Sequence, residues 1–134
     1  MINNLILLTM VMNLSSSCFN NKEGLHRYIY LKSNSANTIY FGLSYAYPDT
    51  SINKISMVPG ENGSIAHKIP SRGQSILPAD NFVYNPTMQL FIFDATTIET
   101  TPWDSIVAHN MVLKRYQFTE GDMQQANWTI TYPK

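Results

Sequence analysis

Cysteine is nearly missing from this sequence. Cys18 is the only one in 134 residues, so no disulfide can close within the chain. Net charge is missing as well. Nine Lys and Arg balance nine Asp and Glu, which removes any electrostatic case for nucleic acid or an acidic membrane surface as the main partner. Residues 1–17 contain no charged side chain, and no aromatic residue precedes Phe19. The apolar stretch at residues 5–12 is far shorter than the roughly 20 residues that span a bilayer as a helix. There is no internal repeat and no low-complexity tract. Histidine is sparse: His26, His67 and His109 lie far apart, without H-x-H or H-E-x-x-H spacing, so no metal site is expected and no cofactor is implied.

What is present begins with an address. An uncharged apolar run, Leu5-Ile-Leu-Leu-Thr-Met-Val-Met12, leads through Asn13-Leu14 and three serines to Cys18. Its length is that of a signal-peptide hydrophobic region followed by small residues at a cleavage site. A cysteine directly after such a site resembles the lipobox of bacterial lipoproteins, with Leu14 one place further out than usual and Ser17 standing where Gly or Ala is commoner. The resemblance implies acylation of the Cys18 thiol. One buried chain holds a protein only marginally at a membrane, whereas two or more hold it firmly. The expected organisation is a signal peptide over residues 1–17, a tether over 18–25 and one domain over 26–134.

Tyrosine leads the aromatics, with eight residues, and favours half-buried pleated surfaces. Arg27-Tyr-Ile-Tyr-Leu-Lys32 reads as a strand, and the polar cluster Ser33-Asn-Ser-Ala-Asn37 as a turn. Thr38-Ile-Tyr-Phe-Gly-Leu-Ser-Tyr-Ala-Tyr47 alternates. Ile39, Phe41, Leu43, Tyr45 and Tyr47 form one apolar face, opposite the smaller or more polar Tyr40, Gly42, Ser44 and Ala46. That pattern predicts a sheet with one face in the core, and the two strands are expected to pair as a hairpin. Four prolines over residues 48–81 leave room for short strands near 52–58 and 64–69. Met88-Gln-Leu-Phe-Ile-Phe-Asp94 is a continuous apolar run, predicted to be a central strand buried on both faces.

Two short helices are predicted next. Thr101-Pro-Trp-Asp104 offers a capping Thr and a Pro at the first helical position, opening a helix over about residues 102–109. Thr119-Glu-Gly-Asp122 has the spacing of a capping box and opens a second helix ending near Asn127. Residues 111–118 form a strand between them. Trp128-Thr-Ile-Thr-Tyr132 is a last strand, stopped by Pro133. The expected fold is a mostly β, antiparallel β-sandwich, Ig-like or related, with two short helices in its C-terminal half.

Phe91-Ile-Phe-Asp-Ala95, Pro102-Trp-Asp104, Val112-Leu-Lys-Arg-Tyr116 and Asn127-Trp-Thr-Ile-Thr-Tyr-Pro133 resemble a family of small, uncharacterised lipoproteins of Bacteroidetes. Ile39-Tyr40 through Ser44-Tyr-Ala-Tyr-Pro-Asp49 is similar to its first hairpin, and the likeness spans most of residues 26–133. It implies a lipid-anchored protein of the cell envelope, at the outer membrane, and implies no activity. Phe19-Asn-Asn-Lys-Glu lacks the acidic cluster that marks surface export in such bacteria, which favours the periplasmic face over the cell surface. Asp104-Ser-Ile106 resembles the D-S/T-hydrophobic acceptor of O-glycosylation in these organisms, making Ser105 a candidate modification site.

Catalytic patterns are weak. Gly42-Leu-Ser-Tyr-Ala46 approximates the G-x-S-x-G elbow, with Asp94 or Asp104 and then His109 in α/β-hydrolase order. An elbow needs its serine on a tight strand-to-helix turn, and Ser44 lies within an alternating strand. Ser51-Ile-Asn-Lys54 matches S-x-x-K without companion motifs. Lys114-Arg115 reads as the polar part of a strand, Asp104 and Asp122 as helix-capping carboxylates, and Trp103 and Trp128 as core anchors rather than sugar platforms. With no catalytic set, the expectation is a non-enzymatic, membrane-anchored module that binds an envelope protein or takes part in an assembly. The alternative is a carbohydrate-binding module using exposed aromatics, with a hydrolase a distant third. A contiguous exposed aromatic patch would favour the glycan.

Overall fold

The computed structural model describes residues 28–56, 58–60 and 67–134. Cys18, His26 and the predicted signal peptide and tether lie outside them. Two sheets stack face to face. One has the strand order β4-β1-β7, the other β3-β2-β5-β6. The strands are β1 Tyr28–Ser33, β2 Ile39–Ser44, β3 Lys68–Ile69, β4 Gln74–Pro78, β5 Thr87–Asp94, β6 Lys114–Thr119 and β7 Thr129–Tyr132. Three short helices are α1 Ala95–Thr100, α2 Trp103–Ala108 and α3 Glu120–Gln125. The mostly β sandwich with helices in the C-terminal half is therefore present. Its pairs are antiparallel except β1–β7, which run parallel.

The core between the sheets is made by alternation. Ile29 and Leu31 of β1, Leu77 of β4 and Ile130 of β7 meet Ile39 and Phe41 of β2 and Met88, Leu90 and Ile92 of β5. A second apolar cluster lies on the other side of the four-stranded sheet. There Phe91 and Phe93 of β5 and Tyr40 of β2 are covered by Ile52, Ile55, Ala95 and Ile106. The predicted double burial of β5 holds: residues 88–93 are all buried. Gln89 is buried among them because its side-chain amide donates to the Asp49 carbonyl at 2.8 Å.

The β1–β2 hairpin does not form. The two strands lie in different sheets, and the Ser33–Asn37 cluster carries the chain from one layer to the other. Its hydroxyls make that corner: Ser33 Oγ accepts from the Ser35 N–H and Ser35 Oγ from the Asn37 N–H. The physical reason is burial. β2 is covered on both faces, so it sits beside β5 in the interior of its sheet, with Tyr40 3% exposed. β1 carries Tyr28, Tyr30 and Lys32 on one face and takes a place where that face meets water. Gly42 permits the double cover of β2, because a Cβ there would lie 2.9 Å from the Ile55 side chain.

Other boundaries shift for local reasons. Residues 52–54 form a 3-10 turn rather than a strand, and β4 takes up a segment to which the sequence pattern assigns no element. A third helix, α1, directly follows β5 because Asp94 caps it, accepting from the Thr97 N–H at 3.1 Å. Thr101 is consequently the C-cap of α1 and not the cap of α2, whose N-cap is Pro102. The capping box at α3 is present: the Asp122 N–H donates to Thr119 Oγ1 and the Thr119 N–H to Asp122 Oδ2. Both α2 and α3 end in Schellman motifs on an asparagine of positive φ. Asn110 (φ 50°) lets the Met111 N–H reach the Ile106 carbonyl, and Asn127 (φ 50°) lets the Trp128 N–H reach that of Met123. Thus α3 links β6 to β7 and buries Met123 within the sandwich.

Candidate binding face

Among the described residues, the outer face of the β4-β1-β7 sheet is left open. On β1 the residues alternating with Ile29 and Leu31 are Tyr28, Tyr30 and Lys32. The register sets Pro78 beside Tyr28, Ile76 and Thr129 beside Tyr30, and Gln74 and Thr131 beside Lys32. The result is a contiguous surface with Tyr28 52%, Tyr30 40% and Ile76 53% exposed. Apolar area of this kind on a regular strand face marks an interaction surface more often than single exposed side chains do. Tyr47 and Tyr84 are exposed too, but on turns. The strand itself was legible in the sequence. That its tyrosine face stays uncovered was not, although the aromatic alternation Tyr-Ile-Tyr-Leu-Lys was the available signal.

At its Lys32 end this face runs into a hollow of about 300 Å3 lined by Lys32, Ser33, Asn34, Arg72, Gly73 and Gln74. Backbone bonds join the two turns that build it. The Ser33 N–H donates to Gly73 O at 2.9 Å, and the Arg72 N–H to Ser35 O at 3.1 Å. Arg72 has a left-handed backbone (φ 55°) at the tip of the second turn. Among the described residues no carboxylate lines the hollow, and neither Lys32 nor Arg72 makes an ion pair.

The ionic cluster that joins β2, β3 and α1 is internally satisfied. Glu99 Oε1 accepts from the Tyr40 hydroxyl at 3.1 Å and from Lys68 Nζ at 2.5 Å. The Lys68 hydrogen bond, then that of Tyr40, holds the Glu99 carboxyl below its ordinary range. The bond to Glu99 pushes the Lys68 ammonium up, while burial and then the Glu99 bond push the Tyr40 phenol up. A protonated phenol, an ionised carboxylate and a protonated amine tie β2, α1 and β3 together. None is left poised to give or take a proton at neutral pH.

The remaining sequence candidates are dispersed. Ser44 pairs with Gln89 and Asp94 with Ile39, so they occupy opposite ends of the β2–β5 pair, while His109 is the C-cap of α2. Ser44 is fully buried, its Oγ accepting from the Ala46 N–H, and Asp94 is occupied as a helix cap. Ser51 donates to Asp49 through both hydroxyl and N–H, the cause of that carboxyl's lowered pKa. His67 packs edge-on against Phe41 with ring centroids 5.1 Å apart, and the His109 ring meets the Ser105 carbonyl at 2.9 Å. No group of three or more potential metal ligands exists among the described residues. Ser105 is half-buried in the first turn of α2, next to fully buried Ile106. The tryptophans are packed as anchors: Trp103 edge-on to Phe93 at 5.7 Å and Trp128 edge-on to Phe82 at 6.5 Å. Arg115 lies 5.2 Å above Phe91 and donates to the Thr50 carbonyl, sealing the outer cluster rather than facing a ligand.

A second opening, of about 510 Å3, lies where the edge strands β6 and β7 run side by side, with Lys114, Tyr116, Tyr132 and Lys134 on its walls. Burial first, and then the neighbouring Tyr132, pushes the Tyr116 phenol up, so it stays a neutral donor. Its ring also stacks on Phe118 at 5.6 Å, which makes it part of the sandwich edge. No family model, no curated protein and no solved structure matches this chain.

Proposed function

We propose that this protein is an envelope lipoprotein, anchored through Cys18, that works as a non-enzymatic binding module. Its working surface is the outer face of the β4-β1-β7 sheet. The membrane is its partner through the lipid; the soluble ligand or envelope protein meets the sheet. The apolar run and serines before Cys18 support the anchor, as does the likeness to Bacteroidetes lipoproteins. Among the described residues no helix is long and apolar enough to cross a membrane. The separation of Ser44 from Asp94, at opposite ends of the β2–β5 pair, gives a hydrolase no support.

The observation that carries the reading is the contiguous pair Tyr28 and Tyr30, side by side on an open strand face with Ile76 and Pro78. This arrangement favours the carbohydrate alternative over a general assembly surface. Phenol rings present flat apolar area with a polar rim, and Gln74, Thr129 and Thr131 supply hydrogen-bonding groups around them. Binding of the full-length protein in detergent to an array of bacterial and plant oligosaccharides tests it. Glycan binding that falls at least tenfold in Tyr28→Ala and Tyr30→Ala, with melting temperature retained, is the expected outcome. Capture of an envelope protein through the same tyrosines, with no glycan bound, would return the assembly reading to first place.

A further inference from the structure

We infer that the glycan this face takes is acidic, carrying ring carboxylates, with Lys32 and Arg72 as the groups that read them. The inference rests on the carbohydrate reading and adds to it the class of sugar. Its ground is charge placement. The whole chain is neutral, nine basic residues against nine acidic. Yet the tyrosine strip ends in a hollow with two cations and no carboxylate among the described residues. Of the other described cations, Lys68 is paired with Glu99, Arg115 with Asn110 and the Thr50 carbonyl, and Lys114 lies over the Tyr116 ring. Lys54 and Lys134, like Lys32 and Arg72, make no ion pair among the described residues. Lys32 and Arg72 are set apart by their place at the end of the tyrosine strip.

Geometry joins the two parts into one site. Tyr28, Tyr30 and Lys32 are successive outward residues of β1, so the strip from Tyr28 to Lys32 is about 13 Å long at the usual rise of a strand. Gln74 lies beside Lys32 on β4, and Arg72 precedes it by two residues at the turn. An extended oligosaccharide lying along β1 would stack on the two phenols and bring a substituent of its next ring to the hollow. There the guanidinium of Arg72 offers a planar fork that matches a carboxylate, and the Lys32 ammonium a point charge. The hollow is held by backbone bonds between Ser33 and Gly73 and between Ser35 and Arg72, so the two cations are carried on tied turns.

The test compares three probes on the full-length protein in detergent: a hexamer of galacturonic acid, the neutral galactose hexamer, and a sulfated galactose hexamer. The uronate is expected to bind at least tenfold tighter than the neutral sugar at low salt, with the gap closing as salt rises. Lys32→Gln and Arg72→Asn are each expected to weaken uronate binding severalfold and leave the neutral sugar unaffected; asparagine tolerates the left-handed backbone at this position. Both positions are exposed, so melting temperature is expected to hold. Equal binding of acidic and neutral sugars, or a preference that survives both substitutions, overturns the acidic assignment and leaves the tyrosine platform standing. Tighter binding of the sulfated sugar overturns the carboxylate. Binding of none of the three overturns the carbohydrate reading itself.

Discussion

The two sheets use the same side-chain alternation to opposite ends. In β5 both sets of alternating residues are apolar, Met88, Leu90 and Ile92 on one side and Phe91 and Phe93 on the other, and both are covered. In β1 only one set is apolar and covered; the other, Tyr28, Tyr30 and Lys32, faces water. The four-stranded sheet is the middle layer of three, and the side chains of its inner strands β2 and β5 are consumed by packing. The three-stranded sheet has a free face, so side chains there can be chosen for a ligand without cost to the core. That contrast is why the binding face is sought on β1 and not on β5, which carries as many aromatic residues.

The contrast breaks most severely at β7. Chain ends are loose unless tied down, and this one is tied. β7 pairs in parallel with β1 from Thr129 to Tyr132, Ile130 is 3% exposed, and the Tyr30 N–H donates to the Trp128 carbonyl at 2.8 Å. Ending the chain after Asn127 removes a whole strand from the three-stranded sheet and uncovers Ile29 and Leu31. Burial of Trp128 and Ile130 is worth several kcal/mol, at about 1.5–3 kcal/mol for a large apolar side chain, comparable with the stability of a small domain. The truncated chain is expected to lose its cooperative thermal transition and aggregate. Retention of that transition would show that the outer sheet is held by β4 alone.

Next in size is a matched pair in β5. Phe91→Ala opens a void under α2 and Ile55, and Ile92→Ala one between the sheets. Each is expected to cost about 2–5 kcal/mol in denaturant unfolding. Near-equal losses would establish that the helical cover contributes to the core as fully as the second sheet does. A small loss for Phe91→Ala alone would mean that the outer layer opens easily and that the middle sheet is half exposed in solution.

A third, smaller effect separates the layers by pH. Burial holds the His67 imidazole below its ordinary pKa of 6.5, so the neutral ring is the one that packs on Phe41. The unfolded chain binds the proton more readily. Stability from this group is therefore present above pH 6.5 and lost as pH falls through the lowered folded value. The melting temperature is expected to drop between pH 7.5 and 5.5, and His67→Gln to flatten that drop while Tyr30→Ala leaves it in place. An unchanged slope in His67→Gln would move the pH sensitivity to other groups.

How much of this could be read in advance depended on whether the signal was local. The apolar run of β5 and the Thr119–Asp122 capping box are complete within a few residues, and both were legible. The partner of a strand is not local. β1 and β2 are joined by a turn cluster, which suggests a hairpin, but Tyr40 and Gly42 of β2 are buried by residues 52–55 and α1, far along the chain. Alternation marked Tyr40, Gly42 and Ser44 as the wet side; the helices that dry it could not be seen from β2 itself. Helix α1 was hidden because Thr96, Thr97 and Ile98 are β-branched and weak helix formers, leaving Asp94 to look like the end of a strand. The anchoring roles of Trp103 and Trp128 were legible from size and flanking pattern. The tyrosine face was half legible: the sequence shows that Tyr28 and Tyr30 share a side, and only the packing shows that none of the described residues covers it.

The smallest expected effect sharpens the comparison most. Tyr30 is as large as the core aromatics, and its strand lies at the centre of the three-stranded sheet. If size and central position decided stability, Tyr30→Ala would be as damaging as Phe91→Ala. Its ring, however, lies on the open face beside Ile76 and Thr129, 40% exposed, against 1% for Phe91. Removing it leaves no cavity, because water already reaches the site, and costs only cross-strand contact worth about 0.2–1 kcal/mol. Tyr30→Ala is therefore expected to lower stability by less than about 1 kcal/mol in the same denaturant experiment that costs Phe91→Ala at least about 2. A loss of several kcal/mol would mean that a further part of the protein covers this face and that its tyrosines belong to a core. A loss below 1 kcal/mol, together with a loss of ligand, would separate what the two faces of β1 are for: Ile29 and Leu31 hold the fold, and Tyr28 and Tyr30 use it.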